Sequence, residues 1–188
     1  MTRWEPDSRG RLEMAALELY LEQGFDQTTV AQIAERAGLT ERTFFRHFAD
    51  KREVLFSGGA TFQSLITSTA AAADHDLGPL DAAMVGFEAV GAFFQDRRTL
   101  VQQRHSIIAA NAELQERELI KLQSLAVALA DTLRGRGVSD PSAALIAEVA
   151  GAVFKISFEV WVTDAESRDL AQVLRQSLGE LRSLASIT

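Results

Sequence analysis

Apolar residues recur along this chain at helical spacing and never alternate as a strand requires. Leu12, Ala15, Ala16 and Leu19 stand at i, i+3, i+4 and i+7, one stripe of an amphipathic helix. The stripe predicts a helix over 8–23, opening after Pro6 and Asp7 and stopping at Gly24, where a left-handed cap turns Phe25 back onto the core. Val30, Ile33, Ala34 and Ala37 repeat the spacing, with Thr29 and Gln32 as a capping box and Gly38 as the stop. Only Gly38, Leu39 and Thr40 separate this helix from a short third one, capped by Thr40, with Phe44 and Phe48 on one face. Asp50 and Glu53 repeat the capping-box pattern and predict a fourth helix running to about residue 72.

After a break at 73–79 the pattern stays helical. Ala83, Phe87, Val90, Gly91 and Phe94 mark one stripe, Leu100 to Ile108 a shorter helix, and Leu122, Leu125, Leu129 and Leu133 a longer one over 112–134. Asp140 as cap and Pro141 in the first turn predict a helix to 163, and Ser167 opens a last one to about 185. The expectation is an all-α chain of about nine helices. The N-terminal three-helix unit spans residues 1–50, and a larger helical part spans 51–188.

Composition narrows the function classes. The 188 residues carry a formal charge of −7 and no cysteine, which excludes disulfides and thiolate metal sites and fits a reducing cytoplasm. The first ten residues lack an apolar stretch, and no apolar run approaches the roughly 20 residues of a membrane helix, so a cytoplasmic protein with no membrane partner is expected. An acidic chain is a poor general polyanion binder, and any nucleic-acid site must be a local patch. No nucleophile-base arrangement, phosphate-cradling glycine loop or paired carboxylate motif is present; no enzymatic activity, cofactor or metal is expected. "DHD" (74–76) reads as a polar turn rather than converging metal ligands.

The local patch lies in "TERTFFRHFADKRE". Two helices joined by a three-residue glycine turn and braced by a preceding helix have the plan of a helix-turn-helix, whose second helix enters the major groove. At 100° per residue Arg42 and Arg46 lie opposite Phe44 and Phe48, with Thr43 and Phe45 on the flanks. Guanidiniums so placed can pair with guanine O6 and N7 or hold phosphates. The same pattern is open to a second reading, an exposed helix with ordinary arginines.

The stretch "TTVAQIAERAGLTERTFFRHFADKREVLF", preceded by "ALELYLEQGFDQ", resembles the DNA-binding domain of the TetR family of bacterial transcriptional regulators over about residues 9–56. The resemblance implies an all-α homodimer that presents one such domain to each half of a palindromic double-stranded operator, usually as a repressor. By position it implies that Thr29 caps the second helix and touches a phosphate, that Arg42, Thr43 and Arg46 face base edges, and that His47 and Lys51 grip the backbone. His47 is equally open to a partly buried, hydrogen-bonded role. Phe45 departs from the usual Tyr, which removes a phosphate hydrogen bond and leaves apolar contact.

In the larger part the resemblance implies an effector pocket and a dimer interface. Aromatic and aliphatic stripes are first of all core, but the candidate pocket walls are Phe62, Ile66, Phe87, Phe94, Arg104, Ile108, Leu122, Phe158 and Trp161. Arg104 would be an anion partner or, alternatively, a salt bridge. Arg104, Ile107 and Ile108, then Glu113 to Arg117, and Trp161 also resemble a TetR subset associated with acyl-CoA-like effectors, so the expected effector is small and apolar or acyl-type. The apolar circumference of 141–163 requires burial on more than one side. Leu145, Val149, Val153, Ile156, Leu170, Leu174, Leu178 and Leu181 are the expected dimer interface, with absorption into one subunit's own interior as the alternative. Lys155 and Glu159 read as an i, i+4 ion pair. Two other functions stay open: a helical ligand-binding or catalytic protein with a structural N-terminal unit, and an effector-independent DNA binder.

Overall fold

The computed structural model describes residues 7–164 and 168–186, among which every regular element is a helix and no strand occurs. The α-helices are α1 (Ser8–Gln23), α2 (Val30–Arg36), α3 (Glu41–His47), α4 (Gly59–Ala72), α5 (Pro79–Gln95), α6 (Arg98–Ala109), α7 (Ala112–Gly135), α8 (Ser142–Thr163) and α9 (Leu170–Ala185). Pro6 and Ser167, on which the sequence reading hangs two helix starts, lie outside the described residues. The chain divides into two compact units. The first holds the residues up to Gly58 together with Gln103–Glu118, and the second holds Gly59–Gln102 and the residues from Leu119 onward.

Two expected elements form differently. The single helix over 50–72 is instead a 3-10 turn, Glu53–Phe56, followed by α4 from Gly59. Asp50 does accept from the Arg52 and Glu53 backbone N–H groups at 2.8 and 3.1 Å, but Gly58 and Gly59 then interrupt the run. Each glycine costs a helix interior about 1 kcal/mol relative to alanine. Asp140 does not cap α8. Its carboxylate takes the Arg134 guanidinium at 2.8 and 2.9 Å, and Pro141 stands at the N-cap with no side-chain hydrogen bond.

The first unit closes around Leu12, Ala16 and Leu19 of α1, Ile33 of α2, Phe44 and Phe48 at α3, the 3-10 turn's Val54, Leu55 and Phe56, and Ile107, Ile108 and Leu114. In the second unit α5 packs against α4, α8 and α9. Gly86 permits the close crossing with α4, since a Cβ there would sit 2.5 Å from the Ile66 carbonyl oxygen. Its core contains Ile66, Phe87, Leu129, Trp161, Leu170 and Leu174. The Ser157 hydroxyl is buried within this unit with no hydrogen-bond partner among the described atoms.

Candidate nucleic-acid interface

Local sequence sets the α2–α3 geometry almost bond by bond. Thr29 Oγ1 accepts from the Gln32 N–H at 3.2 Å while Gln32 Oε1 accepts from the Thr29 N–H at 2.9 Å, the expected capping box. At the other end the Gly38 N–H reaches the Glu35 carbonyl at 2.9 Å and the Leu39 N–H reaches Ala34 at 2.8 Å. These are the two bonds of a Schellman stop, and they require Gly38 at φ +65°. Thr40 then caps α3, accepting from the Thr43 N–H at 3.2 Å. The turn is therefore fixed by residues the sequence names.

On α3, Phe44 is fully buried and Phe48 nearly so, whereas Arg42, Phe45 and Arg46 are exposed and Thr43 and His47 half-buried. Arg42, Thr43, Phe45 and Arg46 line one open recess. Phe45 keeps 56% of its surface exposed and sets its ring edge-on to Phe44, centroids 5.4 Å apart. Arg42 and Arg46 are one turn apart, about 6 Å along the axis. Among the described residues neither has a carboxylate partner; Arg46 lies 3.4 Å from His47 Nε2. Other arginines of the first unit are held by carboxylates. Arg36 is held by Glu18 and Glu22, Arg52 by Asp50 and Glu113, and Arg117 by Glu53. The Arg52 guanidinium holds the Asp50 carboxyl below its usual range, chiefly by hydrogen bonding.

Lys51, expected on a phosphate, is engaged within the chain. Its ammonium donates to the Phe25, Thr28 and Asp26 carbonyl oxygens at 2.7, 2.9 and 3.3 Å and sits 4.3 Å from the Phe25 ring centroid. An ammonium has three donors, and all three are used to hold the α1–α2 loop, so a phosphate contact would displace one. The Tyr20 hydroxyl braces the same segment by donating to the Lys51 carbonyl at 2.6 Å, and burial pushes its pKa up. Thr28, which sequence reasoning passed over, is buried and donates to the Gly24 carbonyl at 2.8 Å. Its signal was only its place before the cap residue.

Residues 14–57 match the family described as "Bacterial regulatory proteins, tetR family", and residues 77–185, more than half the chain, match the "MftR C-terminal domain". The chain belongs to the TetR family of bacterial regulatory proteins. It is a helix-turn-helix, DNA-binding transcriptional regulator. Among TetR-type relatives, it is 40% identical over 83 residues to the transcriptional regulator TcmR of Streptomyces glaucescens. That stretch covers 44% of this chain and 37% of TcmR. It is 29% identical over 201 aligned positions to the transcriptional repressor BepR of Brucella suis, covering 96% of this chain and 95% of BepR. Its fold is similar to that of the TetR repressor FadR of Thermus thermophilus, solved with lauroyl-CoA, at a TM-score of 0.55 and 23% identity over 93% of each chain.

The TetR reading of the larger part divides on inspection. Phe62, Ile66, Phe87, Phe94, Phe158 and Trp161 do gather in the second unit: Phe94 lies 5.0 Å from Phe62, 5.9 Å from Phe158 and 6.4 Å from Trp161. Leu122 is half-buried on α7. Arg104 and Ile108 do not join them. Ile108 is buried in the first unit's core, and Arg104 donates to the Leu55 carbonyl at 2.6 Å and to Glu118 at 3.2 Å, with its guanidinium over the Phe56 ring. Burial pulls the Arg104 pKa down, and the Glu118 charge opposes it. The physical reason is that α6 changes surroundings along its length, which a linear stripe does not reveal.

Arg104→Met is expected to destabilise the protein by about 2–3 kcal/mol: breaking a fully buried pair costs about 3–5, and side chains left 30% and 32% exposed here are partly screened. Thermal unfolding measures this. A variant as stable as wild type would return Arg104 to the ligand role.

The expected dimer residues also separate. Val153, Leu170, Leu174 and Leu178 are buried inside the chain and the partly buried Leu181 packs on the same core, where α9 lies against α5 and α8. Leu145 and Ile156 are 65% and 57% exposed, with Val149 half-buried between them. Lys155 and Glu159 form no ion pair. Asp74 to Asp76 form an exposed turn in which Asp74 accepts from the Asp76 N–H. No helix among the described residues is long and apolar enough to cross a membrane.

Proposed function

We propose that this chain is a ligand-responsive repressor. As a homodimer it binds a palindromic operator with one α3 in each half-site, and it releases the operator when an effector occupies the second unit. The observation that carries the reading is the pair of guanidiniums on the exposed face of α3, neither neutralised by a carboxylate among the described residues, in a chain of net charge −7. Arg42 and Arg46 reach base edges, Thr43 and Phe45 make the flanking contacts, and His47 and Thr29 lie where phosphates pass. The regulator acts in the cytoplasm and carries out no catalysis. The effector is apolar or acyl-type, held among Phe62, Phe87, Phe94, Phe158 and Trp161, with the unpartnered Ser157 hydroxyl as the polar atom available to it.

Linkage constrains this reading. The effector must bind the DNA-incompetent state more tightly, and operator must weaken effector binding by the same factor, typically about 1–3 kcal/mol. Selection of bound duplexes from a random pool, at near-physiological salt and with the full chain, tests the DNA side. Enrichment of a palindrome with half-sites about one helical turn apart is the expected result. Enrichment of no sequence, or of an unpaired half-site alone, would overturn the dimeric operator reading.

A further inference from the structure

The first unit carries a recess that the DNA reading leaves unused. Its volume is about 410 Å³, within the range of small-molecule sites, and it shares no residue with α3 or with the aromatic group of the second unit. The lining comes from the last turn of α1 and the loop at 24–27, and from the last turn of α6 with Ala110 and Asn111. Phe25 and Ile107, both buried, and Leu21, 44% exposed, supply its apolar surface.

The polar groups around it are set to accept. The Tyr20 hydroxyl donates to the Lys51 carbonyl, the Ser106 hydroxyl to the Gln103 carbonyl at 2.8 Å, and the Asn111 amide to the Ile107 carbonyl at 2.6 Å. The Gln23 amide donates to the Gln27 carbonyl, Thr28 Oγ1 and Gln32 Oε1 at 3.4, 3.2 and 3.1 Å. Gln27 alone among the lining side chains keeps an unengaged N–H. What remains are oxygens: Gln23 Oε1, Asn111 Oδ1 and the carboxylate of Asp26, which is exposed and holds no ion pair among the described residues.

The local field has the same sign. Two helices end at the recess, and a helix C-terminus carries roughly half a negative charge that draws cations. Neither last turn contains a basic residue, and no lysine or arginine lines the recess. The Lys51 ammonium is not a lining group, and its three donors are used on the Phe25, Asp26 and Thr28 carbonyls. A divalent metal ion needs several oxygen ligands at once, and no group of three His, Asp or Glu among the described residues could hold one. The cation that matches is organic.

We infer that this recess binds a small protonated amine with an apolar body, its ammonium turned to Asp26 and the Gln23 and Asn111 amide oxygens and its body against Leu21 and Ile107. The site is separate from operator and effector, and it needs neither reading to hold.

Three compounds that share one body test it: phenethylammonium, 2-phenylethanol and phenylacetate, each titrated into the full chain with the backbone amides followed by NMR. The ammonium shifts the amides of Gln23, Gly24, Asp26, Ala110 and Asn111 saturably, with a Kd of about 1 mM or tighter. The alcohol binds there at least about threefold more weakly, and the carboxylate leaves these amides unmoved. Asp26→Asn weakens the ammonium by about three- to fivefold, the worth of an exposed ion pair. Ala110→Lys abolishes binding by placing the chain's own ammonium in the recess. Both positions are exposed, and unchanged amide spectra elsewhere show that the variants are folded. Shifts confined to the second unit, equal affinity for ammonium and alcohol, or an Asp26→Asn chain that binds as wild type would overturn the site.

Discussion

Replacing Arg42 and Arg46 together by alanine is expected to cost about 2–6 kcal/mol of operator binding while leaving the fold intact. A good bidentate arginine–guanine pair is worth about 1–3 kcal/mol of discrimination, about five- to 150-fold in affinity, and the two side chains stand far enough apart to reach different bases. Both are exposed, and neither is tied to a carboxylate among the described residues, so thermal stability should move by no more than about 0.5 kcal/mol. Anisotropy titrations of the selected operator and of a scrambled duplex at one salt concentration give the answer. The operator loses far more than the scrambled duplex, since phosphate contacts are indifferent to sequence. Equal losses on both duplexes would make these residues phosphate contacts only.

Lys51→Met provides the control within the same basic cluster. Its three donors already serve the Phe25, Asp26 and Thr28 carbonyls, so the variant should lower the melting temperature and keep the salt dependence of binding. A salt slope flattened by about one at unchanged stability would instead restore Lys51 as a phosphate ligand.

The difference between these residues marks how far the chain could be read before its structure. Caps and stops are local chemistry, and Thr29, Gln32, Gly38 and Thr40 act where their spacing put them because each bond joins residues no more than five apart. The faces of α3 were legible for the same reason. What spacing cannot carry is the identity of a long-range partner. Lys51 reaches back 25 residues to a loop, Arg104 reaches 49 residues to Leu55, and the Leu170, Leu174 and Leu178 stripe is buried where α9 lies against α5 and α8 of its own chain. An apolar stripe demands a covering surface but does not name which one.

Phe44 and Phe45 make the sharpest test of that local legibility, being the same residue at consecutive positions. Phe44 is fully buried, with ring neighbours Phe45 and Phe48 each at 5.4 Å, inside the core that positions α3 against α1 and α2. Phe44→Ala should cost about 3–5 kcal/mol. Against a total stability of about 5–15 kcal/mol for a typical domain, that leaves the first unit near unfolding. Phe45→Ala removes a ring that is 56% exposed; stability should change little, while affinity for all duplexes falls through lost sugar and methyl contact. Phe45→Tyr should tighten binding by several-fold, because a phenol hydroxyl at this exposed place can donate to a phosphate, a charged-acceptor bond worth about 1.5–3 kcal/mol at best. Denaturant unfolding and operator titration of the three variants separate the roles. A stable Phe44→Ala, or a Phe45→Ala that unfolds, would mean that α3 presents the opposite face to solvent, and with it the assignment of Arg42 and Arg46 to the DNA would fall.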